Sequence, residues 1–173
     1  MKAKIAKAIL KSSAVGTPEI CIDQMDLFEM LKSKNDILEK INETKLKGMF
    51  LNTKIEKRYS TMPLSKILSK TLGYEERREK FNDIAGKLAV SVAKKAITEA
   101  GIDAEDLGQI IVVSGTDFST PGLDTMVIDG LDLPRNIIRT PISFQGCSAA
   151  LRGIAAAKNF CLANQGKSFY WND

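Results

Sequence analysis

Apolar and polar positions follow clear periods over much of the chain. In "EKFNDIAGKLAVSVAKKAITEAG", residues 79–101, the apolar positions are Phe81, Ile84, Ala85, Leu88, Ala89, Val92, Ala93, Ala96, Ile97 and Ala100. Steps of three and one place them on one helical face, and Gly101 supplies the stop. "IIVVSG" at 110–115 has no polar alternation, which predicts a strand buried on both faces of a helix-covered sheet. "TDFSTPGLD" reads as a loop, and Pro121 is set to open a helix over "PGLDTMVIDGL". "NIIRTPISF" predicts the next strand. Gln145, Gly146, Cys147 and an alanine-rich helix to about Asn164 follow it.

Upstream, residues 4–15 predict a strand ended by Gly16-Thr17-Pro18. Asp23 is placed to cap a helix over "QMDLFEMLKSK", in which Met25, Leu27, Phe28 and Leu31 share a face. "KNDILEKINETKLKGMF" predicts another helix, with Asp36 as cap and Ile37, Leu38 and Ile41 as its stripe. "LNTKIEKRYST" is extended or looping, and residues 60–77 show no period. The order β-α-α-(irregular)-α-β-α-β-α, with continuous apolar strands and no dividing linker, predicts one α/β layered domain. After "ANQGK" such a fold should begin another buried strand. The chain meets Tyr170, Trp171, Asn172 and Asp173 and stops, so the domain reads as unfinished.

Composition narrows the chemistry. The 173 residues are 44% hydrophobic and 27% charged, enough for a core and unlike a disordered chain. The net charge of +4 is spread along the chain. It can attract an anionic small molecule but makes no dense patch for nucleic acid. "MKAKIAKAILKSSA" lacks the continuous apolar core of a signal peptide, and the apolar stretch 149–163 is broken by Arg152, Lys158 and Asn159. The expectation is a cytoplasmic protein with no membrane span. Three cysteines, Cys21, Cys147 and Cys161, do not make a disulfide framework. There is no histidine, which excludes His zinc sites, Ser-His and Cys-His dyads and a His base within this chain, and no metal site is expected.

Cys147 stands where a strand gives way to a helix. A thiolate there is favoured by the helix dipole, and backbone N–H groups can hold an oxyanion formed on attack. Gly146 would let a substrate approach closely. The commoner fate of a free cysteine is to pack as a small hydrophobe. Lys54, Lys57 and Arg58 could bind a phosphate, although a solvated basic face is more usual. "GTDFSTPG" could line a pocket, as loops after strand ends do. The small residues Ala149, Ala150, Gly153, Ala155, Ala156 and Ala157 predict a helix in close contact with its neighbours.

Taken together, "IIVVSGTDFSTPGLDTMVIDGLDLPRNIIRTPISFQGCSAALRGIAAAKNFCLANQGK", "NTKIEKRY" and "GTPEICIDQMDLFEML" resemble the chalcone and stilbene synthases, the type III polyketide synthases. The resemblance runs from about residue 5 to 167. It implies a thiolase-like layered α-β-α fold, with residues 1–173 as its first, N-terminal half and the C-terminal half absent. Cys147 would accept an acyl group from a coenzyme A thioester, for decarboxylative condensation with malonyl-CoA in polyketide biosynthesis. Lys45 falls where the family has a lysine on the coenzyme A phosphates. Gly48 and Asn52 stand where an arginine and a lysine are usual, and Lys47 could substitute. Thr116 and Thr120 fall in the loop that shapes the pocket and reaches the partner subunit. The resemblance implies acyl-CoA and malonyl-CoA as substrates, no cofactor, and a homodimer. "SAALRG" departs from the usual "AGG" ending, and the family's assisting histidine and asparagine belong to the second half. Two other readings stay open: a non-catalytic binding or dimerising module on the same scaffold, and a ketoacyl-acyl carrier protein synthase. A half fold would also leave the alanine-rich helix with bare apolar surface, making the chain poorly soluble, dimeric or partner-dependent.

Overall fold

The computed structural model describes residues 7–33, 41–69, 73–115 and 120–164, and the backbone of 168–172. Where the sequence shows no linker, the structure has two compact units: residues 17–73, and residues 74–173 together with 1–16.

The smaller unit contains β1 (Ile20–Asp23), α1 (Gln24–Lys32), α2 (Glu43–Asn52), β2 (Lys57–Ser60) and the short α3 (Leu64–Ile67). β1 and β2 are antiparallel, with Ile20 opposite Ser60 and Asp23 opposite Lys57. Asp23 caps α1 as its sequence position predicts, accepting from the Met25 N–H at 2.8 Å. The second cap differs from expectation. Asn42 Oδ1 accepts from the Thr44 N–H at 2.9 Å and opens α2, and Ile41 precedes the helix. Asp36, Ile37 and Leu38 lie outside the described residues. Phe28 meets Phe50 edge-on at 5.7 Å, and Phe28, Leu46 and Met62 are buried.

Gln24 is the polar centre of this unit. Its Nε2 donates to the Phe50 carbonyl and to Thr53 Oγ1, both at 3.2 Å, and its Oε1 accepts from Arg58 Nε at 2.9 Å. Buried amides need such partners. Arg58, read from sequence as part of a basic cluster, is therefore engaged in holding the unit together.

The larger unit contains α4 (Tyr74–Ala100), β3 (Leu107–Val113), α5 (Leu123–Gly130), β4 (Ile138–Ile142), α6 (Ala149–Ala163) and β5 (Ser168–Asn172). The sheet order is β4-β3-β5, all parallel, with Gln109 opposite Ile138 and Val113 opposite Ile142. α4 stops at Gly101 (φ +62°), whose N–H bonds the Thr98 carbonyl at 3.1 Å, while the Ile102 N–H reaches Ile97 at 3.4 Å. This is the glycine-terminated motif the sequence predicts. β3 is the buried centre. Ile110 and Val112 pack on Ala89 and Ala93 of α4 and Val127 and Ile128 of α5. Ile111 and Val113 face Ala149 and Ala157 of α6. The result is three layers, α-β-α.

Three expectations change. Residues 7–15, within the predicted 4–15 strand, pair with no strand among the described residues, and residues 4–6 lie outside them. Ile9, Leu10 and Val15 are 70%, 79% and 82% exposed. A strand needs a ladder partner, and this segment has none among the described residues. Instead Ser12 Oγ donates to the Ala96 carbonyl at 2.7 Å, and Gly16 lies against Leu88 and Val92. Second, residues 168–172 do form the strand that the α/β order demands, with Tyr170 opposite Ile110. Third, Pro121 precedes α5 in a cis peptide with Thr120, and Gly122 occupies the N-cap position.

α4 and α5 approach closely at two glycines. A Cβ on Gly86 would lie 2.7 Å from Met126 Sδ; one on Gly130 would lie 2.6 and 2.9 Å from the two Val90 methyls. A methionine terminus can swing aside, whereas valine in a helix is held to one rotamer. Gly130→Ala is therefore expected to cost about 1–3 kcal/mol. Gly86→Ala should be close to neutral, offset by up to ~1 kcal/mol of helix propensity. Urea unfolding of both variants checks this, and equal losses would contradict it.

Candidate functional site

The C-terminal ends of β3 and β4 lie side by side, joined by the Ser114 N–H donating to the Ile142 carbonyl at 3.1 Å. Each strand then sends a connection into a helix. The first runs from Ser114 to Gly122. Thr120 in it is exposed, and Thr116 lies outside the described residues. The second runs from Ser143 through a 3-10 turn at Gly146–Ser148 into α6. Phe144 and Gly146 both adopt left-handed backbone, φ +63° and +61°, so the chain reverses sharply within three residues. Glycine does this freely, whereas for a residue with a side chain it costs about 1–2 kcal/mol.

Cys147 sits in that turn and is exposed. It does not have the packed environment of a small core residue. Its position is fixed from below: Ala149, Gly153 and Ala157 form the buried stripe of α6, and Ala149 and Ala157 belong to the cluster with Ile111 and Val113. The Ser148 hydroxyl turns back to the Gln145 carbonyl at 3.1 Å and makes no bond to the N–H groups of α6. A thiol here stands at the start of a helix whose first turn is not capped by its N-cap side chain, the arrangement that can hold a developing oxyanion.

The other two cysteines have different surroundings. Cys21 is exposed on β1, in the smaller unit. Cys161 is partly covered on α6, and burial pushes its thiol pKa up. Lys45 is exposed on α2, also in the smaller unit, as are Lys47 and Asn52. The Gly48 position has open space around it. Cys147 and Thr120 therefore share the larger unit and leave neighbouring strand ends, while Lys45 belongs to the other unit.

One feature was not legible as a contact in the sequence. Asp124, in the first turn of α5, is the only buried charged residue among those described. It accepts from Arg139 Nε of β4 at 2.5 Å; the Asp124 side chain is 2% exposed and that of Arg139 45%. The carboxylate raises the Arg139 guanidinium above its already high pKa. The available signals were the acid in "PGLD" and the lone charge in "NIIRTPISF". Among the described residues, no cluster of Asp, Glu or Cys could hold a metal, and no helix is long and apolar enough to cross a membrane.

The outer face of α6 carries Leu151 at 71% exposure and Ile154 at 50%. This is the bare apolar surface expected of that helix. Leu151→Lys with Ile154→Lys is expected to reduce self-association while shifting stability by about 0.5 kcal/mol or less. Light scattering across a concentration series checks it. Unchanged scattering would mean that this face does not drive association.

The family model for chalcone and stilbene synthases, N-terminal domain, matches residues 1–170. The chain is 31% identical to phloroglucinol synthase of Pseudomonas fluorescens over 114 residues, which is 66% of this chain and 32% of that protein. It is 25% identical to the alpha-pyrone synthesis polyketide synthase-like Pks18 of Mycobacterium tuberculosis over 162 residues, 91% of this chain and 41% of the relative. PKS-I of the brown alga Ectocarpus siliculosus superposes with a TM-score of 0.78 at 29% identity, covering 96% of this chain and 47% of the other. The bacterial type III polyketide synthase 1,3,6,8-tetrahydroxynaphthalene synthase of Streptomyces coelicolor gives 0.77 at 26% identity, covering 90% and 44%. The chain thus spans less than half the length of each of these relatives.

Proposed function

The chain belongs to the chalcone and stilbene synthases, carrying the N-terminal portion of their thiolase-like fold, and from that premise we propose that Cys147 accepts acyl groups from coenzyme A thioesters. Its thiolate attacks the thioester carbonyl. A new carbon–sulfur bond forms, and the bond to coenzyme A breaks with coenzyme A leaving as thiolate. The loaded acyl group is then extended by decarboxylative condensation with malonyl-CoA, an acyl transfer belonging to polyketide biosynthesis. The observation carrying this reading is the exposed Cys147 in the sharp turn at the start of α6.

The other assignments follow the same reading. Residues 1–173 act as the N-terminal domain of such an enzyme. Lys45 meets the coenzyme A phosphates, and Thr116 and Thr120 shape the pocket wall. No cofactor takes part, and the protein works in the cytoplasm. A homodimer is supported by β4, an edge strand among the described residues whose Ile138 is 53% exposed. Gly48 and Asn52, standing in place of basic residues, favour a second reading. In it the scaffold binds or dimerises without turnover. Mass spectrometry of the intact chain after incubation with an acyl-CoA separates them. A single acyl addition on Cys147 supports transfer, and no addition supports the silent scaffold.

A further inference from the structure

The connections holding Thr120 and Cys147 are fastened together by an ion pair whose Asp124 end is buried and whose Arg139 end is half-exposed. Asp124 lies in the first turn of α5, just beyond the Thr120–Pro121 peptide; Arg139 lies on β4, the strand that runs into the Phe144–Cys147 turn. Their bond joins the base of one connection to the strand feeding the other. An ion pair with a buried carboxylate is seldom a source of net stability, since an apolar pair of similar volume usually does as well. What a charged hydrogen bond adds is direction: Nε of one arginine is aimed at one oxygen of one carboxylate.

We propose that Asp124 and Arg139 are a positioning pair, which holds the Thr120 segment and the Cys147 turn in a fixed relation so that a bound thioester is aligned with the thiol. The kinetic part rests on Cys147 being the acyl acceptor; the positional part does not. Neither residue touches the reacting atoms. They act through the two connections they anchor.

The test uses the full chain, Arg139→Lys, and the double variant Asp124→Leu with Arg139→Met, whose apolar pair should keep the fold. Backbone amide exchange is followed by mass spectrometry at 120–125 and 143–148. Transfer from acetyl-CoA to Cys147 is compared with alkylation by iodoacetamide, a small reagent that needs no alignment. Faster exchange at both segments, little change in α4, and thermal stability close to wild type are expected of the double variant. Acetyl transfer should fall about 10- to 100-fold, as for loss of alignment, while alkylation changes by less than about threefold. Arg139→Lys, keeping charge without the directed Nε, should show the same pattern more weakly. Unchanged exchange, or exchange altered at one segment only, overturns the proposal, as does a parallel fall in both labelling rates. If the wild-type chain takes up no acetyl group, the acyl-transfer reading fails, and the exchange result still decides the positional claim.

Discussion

Excess acyl-CoA is expected to add one acyl group to the chain, at Cys147, and Cys147→Ala is expected to abolish that label. The substitution is clean because the side chain is exposed and leaves no cavity, so stability should move by about 0.5 kcal/mol or less. The chain carries its own controls. Iodoacetamide, which needs no alignment, should modify both exposed thiols, Cys21 and Cys147. Cys161 should lag, being partly covered with its thiol pKa raised by burial. With a raised pKa the thiolate fraction at neutral pH is small and grows about tenfold for each pH unit until that pKa is reached. Alkylation of Cys161 should therefore accelerate with pH over the alkaline range. Acyl-CoA asks for more than a thiolate, since the thioester must be held and its oxyanion met. Discrimination of Cys147 over Cys21 by about 100-fold or more is the expected signature of alignment. Equal acylation of the two would reduce Cys147 to an ordinary surface thiol.

The larger unit was legible in sequence wherever a local pattern and the tertiary environment agreed. "IIVVSG" has no polar alternation because β3 is covered on both faces. The long stripe of 81–100 found the face of α4 that packs, although the deepest contacts fall at Gly86, Ala89 and Ala93, where small residues let helices approach. The seam at Gly146-Cys147 was legible because turn and helix are local. What could not be read was pairing over distance. Residues 7–15 read as a strand in the sequence and have no partner among the described residues. β1 is four residues long and merges with the cap of α1. Gln24 shows no periodicity that would mark it as the centre of its unit, since its partners at Phe50, Thr53 and Arg58 come from distant segments. Asp124 and Arg139 were each visible, but a helix residue and a strand residue share no sequence period. At the site, the thiol was legible. The backbone strain at Phe144 was not, because a left-handed aromatic has no sequence signal.

The largest stability loss is expected at Arg139→Met, and its size should depend on which partner is removed. Taking away the guanidinium leaves the Asp124 carboxylate at 2% exposure with its charge-assisted bond gone. Breaking a buried pair in this way costs several kcal/mol because the remaining charge is uncompensated. Here the arginine side is 45% exposed, so water can enter along its path, and the loss should fall at the low end, about 3 kcal/mol. For a chain of this size that corresponds to a fall of roughly 6–12 °C in Tm. Asp124→Ala is a different perturbation. It leaves Arg139, which water already reaches, so the orphaned group is hydrated and the cost should be only about 1 kcal/mol. Replacing both partners by apolar residues should recover most of the loss, because no charge is then left stranded. Thermal unfolding of the three variants at neutral pH checks the order: Arg139→Met worst, Asp124→Ala mild, Asp124→Leu with Arg139→Met near wild type. If both single variants lose the same amount, the burial of Asp124 is not what makes the pair matter.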